Sequence, residues 1–93
     1  MQSGRNAAAI LDALGDPIRR LIYERLLRIP SNVTVLAAGI PVTRSAVSRH
    51  LQVLKACGLV EARPEGPSQI YTVCHDGLAP LKPWLARVEK AGR

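Results

Sequence analysis

The chain has 93 residues, enough for one domain with a modest core, since a chain this short buries only about two-thirds of the surface its unfolded form exposes. Thirteen Lys and Arg against seven Asp and Glu give a net charge of +6 and a pI near 10.2, a field that attracts polyanions, nucleic acid first and anionic membrane second. The longest uncharged run, Ile29 to Thr43, is interrupted by Pro30 and Pro41 and falls short of the roughly 20 apolar residues that a spanning helix needs.

Met1 to Asn6 is expected to fray. The following run, Ala7 to Leu14, contains Asp12 and is too short and too amphipathic for a secretory signal. A cytoplasmic protein without membrane contact is therefore expected. Ala7, Ile10, Leu11 and Leu14 recur at helical spacing and predict a first short helix that ends near Gly15. Asp16-Pro17 restarts the chain as a second helix, the aspartate as N-cap and the proline at the first helical position, where its missing N–H costs nothing. Ile18, Leu21, Ile22, Leu26 and Ile29 are expected on its buried face, with Arg19, Arg20, Arg25 and Arg28 mostly outside. Pro30-Ser31-Asn32 reads as a loop, Val33 to Gly39 as a short buried helix, and Gly39 to Val42 as the turn after it.

The stretch from Val42 to Val60 predicts one amphipathic helix, started by a Thr43 cap and ended by Gly58. At about 100° per residue, Val47, Leu51 and Leu54 form an apolar face widened by Ala46, His50, Val53 and Cys57. Arg44, Ser45, Ser48, Arg49, Gln52 and Lys55 share the other side, which holds no carboxylate. A solvated face is the plain alternative. The composition also suits the DNA major groove, where Arg forks onto guanine, Gln onto adenine, and Ser and Lys hold phosphates. Two helices joined by a tight turn, the second one cationic, make a helix-turn-helix.

Leu59 to Arg63 and Ser68 to Val73 read as strands, and Pro64-Glu65-Gly66-Pro67 as the turn between them, which gives a hairpin placed as a wing. Arg63 is its one cation and Glu65 sits at its tip, so a small contribution to DNA binding is expected. From Asp76 to Lys90, Leu78, Leu81, Leu85 and Val88 fall on one helical stripe with Trp84 on its flank, and Pro83 should kink or delay that helix. Amphipathic helices at both ends carry more apolar surface than one small core needs. Ile10, Leu11 and Leu14 are therefore expected to pair with Leu78, Leu81, Trp84, Leu85 and Val88 in a homodimer, setting two central helices about one duplex turn apart.

Asp16-Pro17-Ile18-Arg19-Arg20, Ser45-Ala46-Val47-Ser48-Arg49-His50-Leu51-Gln52-Val53-Leu54, Gly58-Leu59-Val60 and Pro64-Glu65-Gly66 with Tyr71 resemble the ArsR/SmtB family of bacterial repressors over about residues 7 to 90. The resemblance implies a dimeric winged helix-turn-helix that sits on an operator and leaves it when an inducer binds. By position it places Arg44, Ser45, Ser48, Arg49 and Gln52 against DNA and makes His50 a packing residue. Metal-sensing members carry a cysteine pair before the turn, or Asp, His and Glu ligands along the last helix. Here Val33 to Ala38 holds no ligand and the last helix has Asp76 and Glu89 without a histidine, so neither metal site can be built from the thiolates and imidazoles that zinc selects. No metal and no cofactor are expected.

A hairpin turn centred between Glu65 and Gly66 would bring Cys57 opposite Cys74, a candidate redox pair; against it stands the plain reading of Cys57 as a small core residue and Cys74 as a strand end. Cys74-His75-Asp76 is a poor metal cluster, because three adjacent residues rarely converge on one ion. No serine, cysteine or carboxylate pair comes with a base and an orienting partner, so no enzyme is expected. The expected protein is mainly α with a small β-hairpin, in the order α-α-α-α-β-β-α: a single winged helix-turn-helix domain over residues 1–93 with dimerisation helices at both ends. It is expected to repress from a palindromic operator in double-stranded DNA through Thr43, Arg44, Ser45, Ser48, Arg49, Gln52 and Lys55, with Arg63 from the wing, under a small-molecule or redox inducer. The rival is a winged-helix module that binds protein instead.

Overall fold

Short polar side chains in front of apolar periodicity set the starts of the first four helices in the computed structural model, which describes residues 6–92. The fraying expected at the amino terminus lies outside these residues except at Asn6, which is held: the Ala9 N–H donates to its Oδ1 at 2.9 Å and opens α1 (Ala7–Gly15). Asp16 Oδ1 accepts from the Ile18 and Arg19 N–H groups, both at 2.9 Å, and starts α2 (Pro17–Arg28). Asn32 Oδ1 accepts from Val35 N–H at 2.8 Å ahead of α3 (Val33–Ala38). Thr43 Oγ1 accepts from Ala46 N–H at 3.0 Å and starts α4 (Arg44–Ala56). Each contact satisfies an amide that has no partner within its own helix.

The far end of α4 closes on Gly58, whose φ of 81° is the left-handed conformation that glycine adopts without steric cost. Gly58 N–H donates to Lys55 O at 3.1 Å and Leu59 N–H to Leu54 O at 3.0 Å, the six-residue closure of a Schellman ending. This turns Leu59 and Val60 inward, at 0% and 2% exposure. The chain then forms β1 (Val60–Glu65) and β2 (Ser68–Val73), antiparallel, with Val60 opposite Val73 and Glu65 opposite Ser68.

The hairpin departs from the sequence expectation in register. The strands run on through Pro64 and Glu65, and the turn is the two residues Gly66-Pro67 rather than one centred between Glu65 and Gly66. Gly66 has φ of 59° and Pro67 is confined to a negative φ, so the pair fits a type II′ turn, which matches strand twist, and excludes type I′. The loop before α3 also pairs with the wing: Ser31 N–H donates to Tyr71 O at 3.1 Å and Tyr71 N–H to Ser31 O at 2.9 Å.

One apolar cluster joins these elements, with Ile10 and Ala13 of α1, Ile22, Tyr23 and Leu26 of α2, Leu36 of α3, Val47, Leu51 and Leu54 of α4, and Leu59, Val60 and Tyr71 around the hairpin. Two expectations about the core are corrected. Ile29 is 64% exposed, because α2 ends at Arg28 and Ile29 is its extended C-cap; Tyr23, at 5%, is buried on the Ile22 and Leu26 side instead. Ile10 is 0% exposed and belongs to the chain's own core, so it presents no surface to a second copy. The last helix, α5 (Leu81–Ala91), begins late, with Pro83 in its first turn where a missing N–H is harmless. Leu78 lies in the turns before it, and α5 packs back on α1 without fully burying any of its own residues.

Val47, Leu51 and Leu54 are each 0% exposed, and burial of one such leucine contributes about 1.5–3 kcal/mol. Leu51→Ala is expected to cost about 2–5 kcal/mol in denaturant unfolding. Gln52→Ala, one residue away on the exposed side, should stay within about 0.5 kcal/mol.

Candidate nucleic-acid interface

With its apolar stripe sunk in the core, α4 has a fixed rotation, and that rotation decides what faces out. Arg44, Ser45, Ser48, Arg49, Gln52 and Lys55 are all exposed, while Ala46, His50 and Val53 are half-buried at the flanks. Thr43 is exposed at the start of the helix, where its hydroxyl is engaged as the cap. The acids nearest in sequence beyond α4 are Glu61 and Glu65, on β1. Arg63, also exposed, stands opposite Ile70 in the hairpin.

A groove of about 470 Å³ runs between α3, the first turns of α4 and the wing. Arg44, Ser45 and Ser48 line it from one side, Asn32 and Thr34 from another, and Ser68 and Gln69 from the hairpin. It contains no carboxylate, and its breadth of hydrogen-bonding groups was only half legible in the sequence. Asn32 was readable as loop and Ser68 and Gln69 as strand, but their convergence on α4 depends on the Ser31–Tyr71 pairing. Lys55 is elsewhere, lining a shallow groove with Gly58, Glu61, Cys74, His75 and Asp76.

Three arginines of α2 that read as solvated are structural. Arg19 Nε donates to Ala13 O at 2.7 Å and Nη2 to Asp12 O at 3.4 Å, supplying donors to the carbonyl end of α1, while Nη1 lies 3.3 Å from His50 Nδ1 on α4. Donation across that last contact requires an unprotonated Nδ1, and it links the end of α1 to the flank of α4. Arg20 Nη1 donates to Leu14 O at 2.8 Å, and Arg25 Nη2 to Gly39 O at 2.9 Å, in the turn after α3. A guanidinium suits this work because its donors fan out in a rigid plane. Asp16 is part of the same junction. The N–H of Arg19 holds its carboxyl below the ordinary value of 3.8; partial burial opposes this, and the neighbouring His50, the Ile18 N–H and the Arg19 charge add to the lowering.

The cysteine pairing inferred from the hairpin is corrected by its register. Opposed residues sum to 133 rather than 131, so Cys74 follows Val73 toward Leu59 and donates its N–H to Leu59 O at 2.9 Å. Cys57 lies off the sheet as the C-cap of α4, 4% exposed, with its thiol donating to Leu54 O at 3.4 Å. Neither thiol is in a disulfide. Burial raises the Cys57 thiol above its ordinary value, which disfavours the thiolate that disulfide exchange needs. Burial likewise raises Tyr23, with the two cysteines adding to it. Among the described residues no three His, Cys, Asp or Glu side chains converge on a metal-sized site, and no helix is long and apolar enough to cross a membrane.

Away from α4, an apolar surface is left open on the terminal elements. Leu11, Leu78, Leu85 and Val88 are 38%, 39%, 45% and 46% exposed. Leu14 and Trp84 are half-buried, and Leu81 is half-buried against the core.

A cationic helix backed by a core, preceded by a short helix and tight turn and followed by a β-hairpin, defines a winged helix-turn-helix transcriptional regulator. Residues 16–62 match the bacterial regulatory protein arsR family. The chain is 44% identical over 87 residues to the HTH-type transcriptional regulator Rv2034 of Mycobacterium tuberculosis, covering 94% of this chain and 81% of that one. The ArsR-like transcriptional regulator from Rhodococcus sp. RHA1 superposes with a TM-score of 0.78 at 33% identity, over 90% of this chain and 79% of that one. The homodimeric winged helix-turn-helix DNA-binding domain Mb0332 from Mycobacterium bovis does so with a TM-score of 0.71 at 31% identity, over 89% of this chain and 77% of that one. The protein belongs to the arsR family of bacterial regulatory proteins, a family of transcriptional regulators and not of enzymes.

Because the Asp16 carboxyl is held below its unfolded value, its contribution to stability is fully present above about pH 4 and is lost as the pH falls through the lowered folded value. Melting temperatures measured between pH 6 and pH 2 should therefore fall more steeply for the wild type than for Asp16→Asn, with the two curves converging at the acid end.

Proposed function

We propose that the protein is a homodimeric repressor, built from the whole chain as one domain, that binds a two-fold symmetric operator in double-stranded DNA through α4. The observation that carries this reading is the division of α4 itself. Its inward stripe is fully buried and its outward face has three cations, two serines and a glutamine with no acid among them. In the major groove, Arg44, Arg49 and Gln52 are positioned by type and spacing to read base edges, Ser45 and Ser48 to bond either bases or phosphates, and Thr43 and Lys55 to hold the backbone at the two ends. Arg63 adds one cation from the wing, while Glu65 near its tip limits that contact.

The dimer follows from the apolar surface of Leu11, Leu14, Leu78, Leu81, Trp84, Leu85 and Val88. Such a patch on a basic surface is costly to leave in water, and the Mycobacterium bovis relative is itself homodimeric. A two-fold axis at that surface would present two copies of α4 to successive major grooves, about 34–36 Å apart. Repression follows when a dimer so placed covers a promoter, and an inducer acts by disfavouring that arrangement.

Titrations of the protein against its own promoter fragment, followed by fluorescence anisotropy, test this. Arg49→Ala should lose about 1–3 kcal/mol and relax preference at one base position, whereas Lys55→Ala should weaken all sequences alike. Wild-type affinity should fall with salt at a slope of about −0.9 per neutralised phosphate. Unchanged affinity in Arg49→Ala together with a flat salt response would reject this face as the reader and favour a protein partner.

A further inference from the structure

A second groove, between the last turns of α2 and the start of α3, takes no part in the interface described above. Its volume is about 460 Å³, within the roughly 300–1,000 Å³ typical of small-molecule sites. The wall is aliphatic, formed by Leu21, Ile29, Val35 and Leu36. Of these, Ile29 and Val35 are 64% and 57% exposed, large hydrophobic side chains that the chain's own core leaves in water. The rim is cationic. Arg25 and Arg28 occupy the final turn of α2, and Glu24 is the one acid lining the groove. Arg25 is partly engaged through Gly39 O. Among the described residues no hydrogen bond or ion pair holds Arg28, although Glu24 stands one helical turn before it. Ser31 is not a free handle, since its hydroxyl donates to Ile29 O at 3.2 Å.

An aliphatic wall beside an unengaged guanidinium is complementary to one kind of small molecule. The apolar body of such a ligand would cover Ile29 and Val35, and its anionic head would take the forked donors of Arg28, a charge-assisted contact that neither an alcohol nor an amine reproduces. We propose that this groove is a binding site for an amphipathic organic carboxylate and that its occupation weakens DNA binding, the second half resting on the regulator reading above.

The route of coupling is short. Val35 and Leu36 belong to the first helix of the helix-turn-helix, and the backbone of Ser31 pairs in both directions with Tyr71 of the wing. The Arg25 guanidinium holds the turn that leads into α4. A ligand seated against Val35, with its carboxylate competing for Arg25, bears on α3, the wing and that turn together. It shifts the DNA-competent arrangement to the extent that it binds the displaced one more tightly.

The test uses the full chain with octanoate as probe and octylammonium as its charge-reversed control, first by isothermal titration calorimetry without DNA. Octanoate should bind saturably at one per chain, octylammonium should not, and Arg28→Gln and Val35→Ser should each weaken octanoate by about tenfold or more. Both substitutions fall at exposed positions, and unchanged melting temperatures will verify that the variants are folded. On a promoter duplex, saturating octanoate should then weaken wild-type binding by about tenfold, inside the usual range of allosteric coupling, and leave Arg28→Gln unaffected. Absence of saturable binding, equal binding of the amine, or full affinity in Arg28→Gln would overturn the site. Binding at the site with unaltered DNA affinity would overturn its regulatory role. The calorimetry is read without DNA, so failure of the ligand-free protein to bind the duplex would strike the regulator reading separately.

Discussion

Everything outward-facing on this molecule depends on the burial of three side chains in one helix. Val47, Leu51 and Leu54 lie at intervals of four and three residues and are removed from water completely. That spacing locks the rotation of α4 to within a fraction of a turn, so that the residues between them have only one way to point. Had the stripe been broken by polar side chains, the same arginines would have no defined direction. The Thr43 cap and the Gly58 closure then fix how far the helix extends, and so where Arg44 and Lys55 stand at its ends.

The surrounding elements act mainly as a frame for that helix. Arg19 bridges the end of α1 and the flank of α4, Arg25 secures the turn between α3 and α4, and Ser31 ties the approach to α3 to the wing. Each is a polar contact made at a junction rather than in the core. Apolar packing among α1, α2 and α4 supplies cohesion but leaves helices free to slide by small amounts; directed hydrogen bonds at the junctions remove that freedom. The arginine-rich α2 is thus a set of struts, and the net charge of the chain overstates the number of cations free to meet a polyanion.

What was legible in the sequence was local. The caps at Asp16 and Thr43, the period of α4 and the two strands depend on residues within a few positions of one another, and the first four helices and both strands formed close to where they were expected, whereas the last helix starts five residues after the expected Asp76. The hairpin register was misplaced because it depends on which residue takes a positive φ; Gly66 does, and Pro67 completes the turn, which moves every cross-strand pair by two and separates the cysteines from their supposed opposition. The Ser31–Tyr71 pairing joins residues 40 apart, and no periodicity announces a contact at that range. The same holds for the arginine struts, which look like ordinary helix-surface charges until the carbonyls they meet are in place. Ile10 and Ile29 were misassigned for opposite reasons: one lies on the side of α1 that faces the core, and the other falls just past the end of a helix whose period it appeared to continue.

The central claim is that the outward face of α4 reads DNA in two copies related by symmetry. Selection of bound duplexes from a random pool with the purified protein tests sequence preference, symmetry and spacing at once. Enrichment of two inverted half-sites whose centres lie about one duplex turn apart is expected. A pool that fails to converge, or that converges on a single asymmetric site, would contradict it.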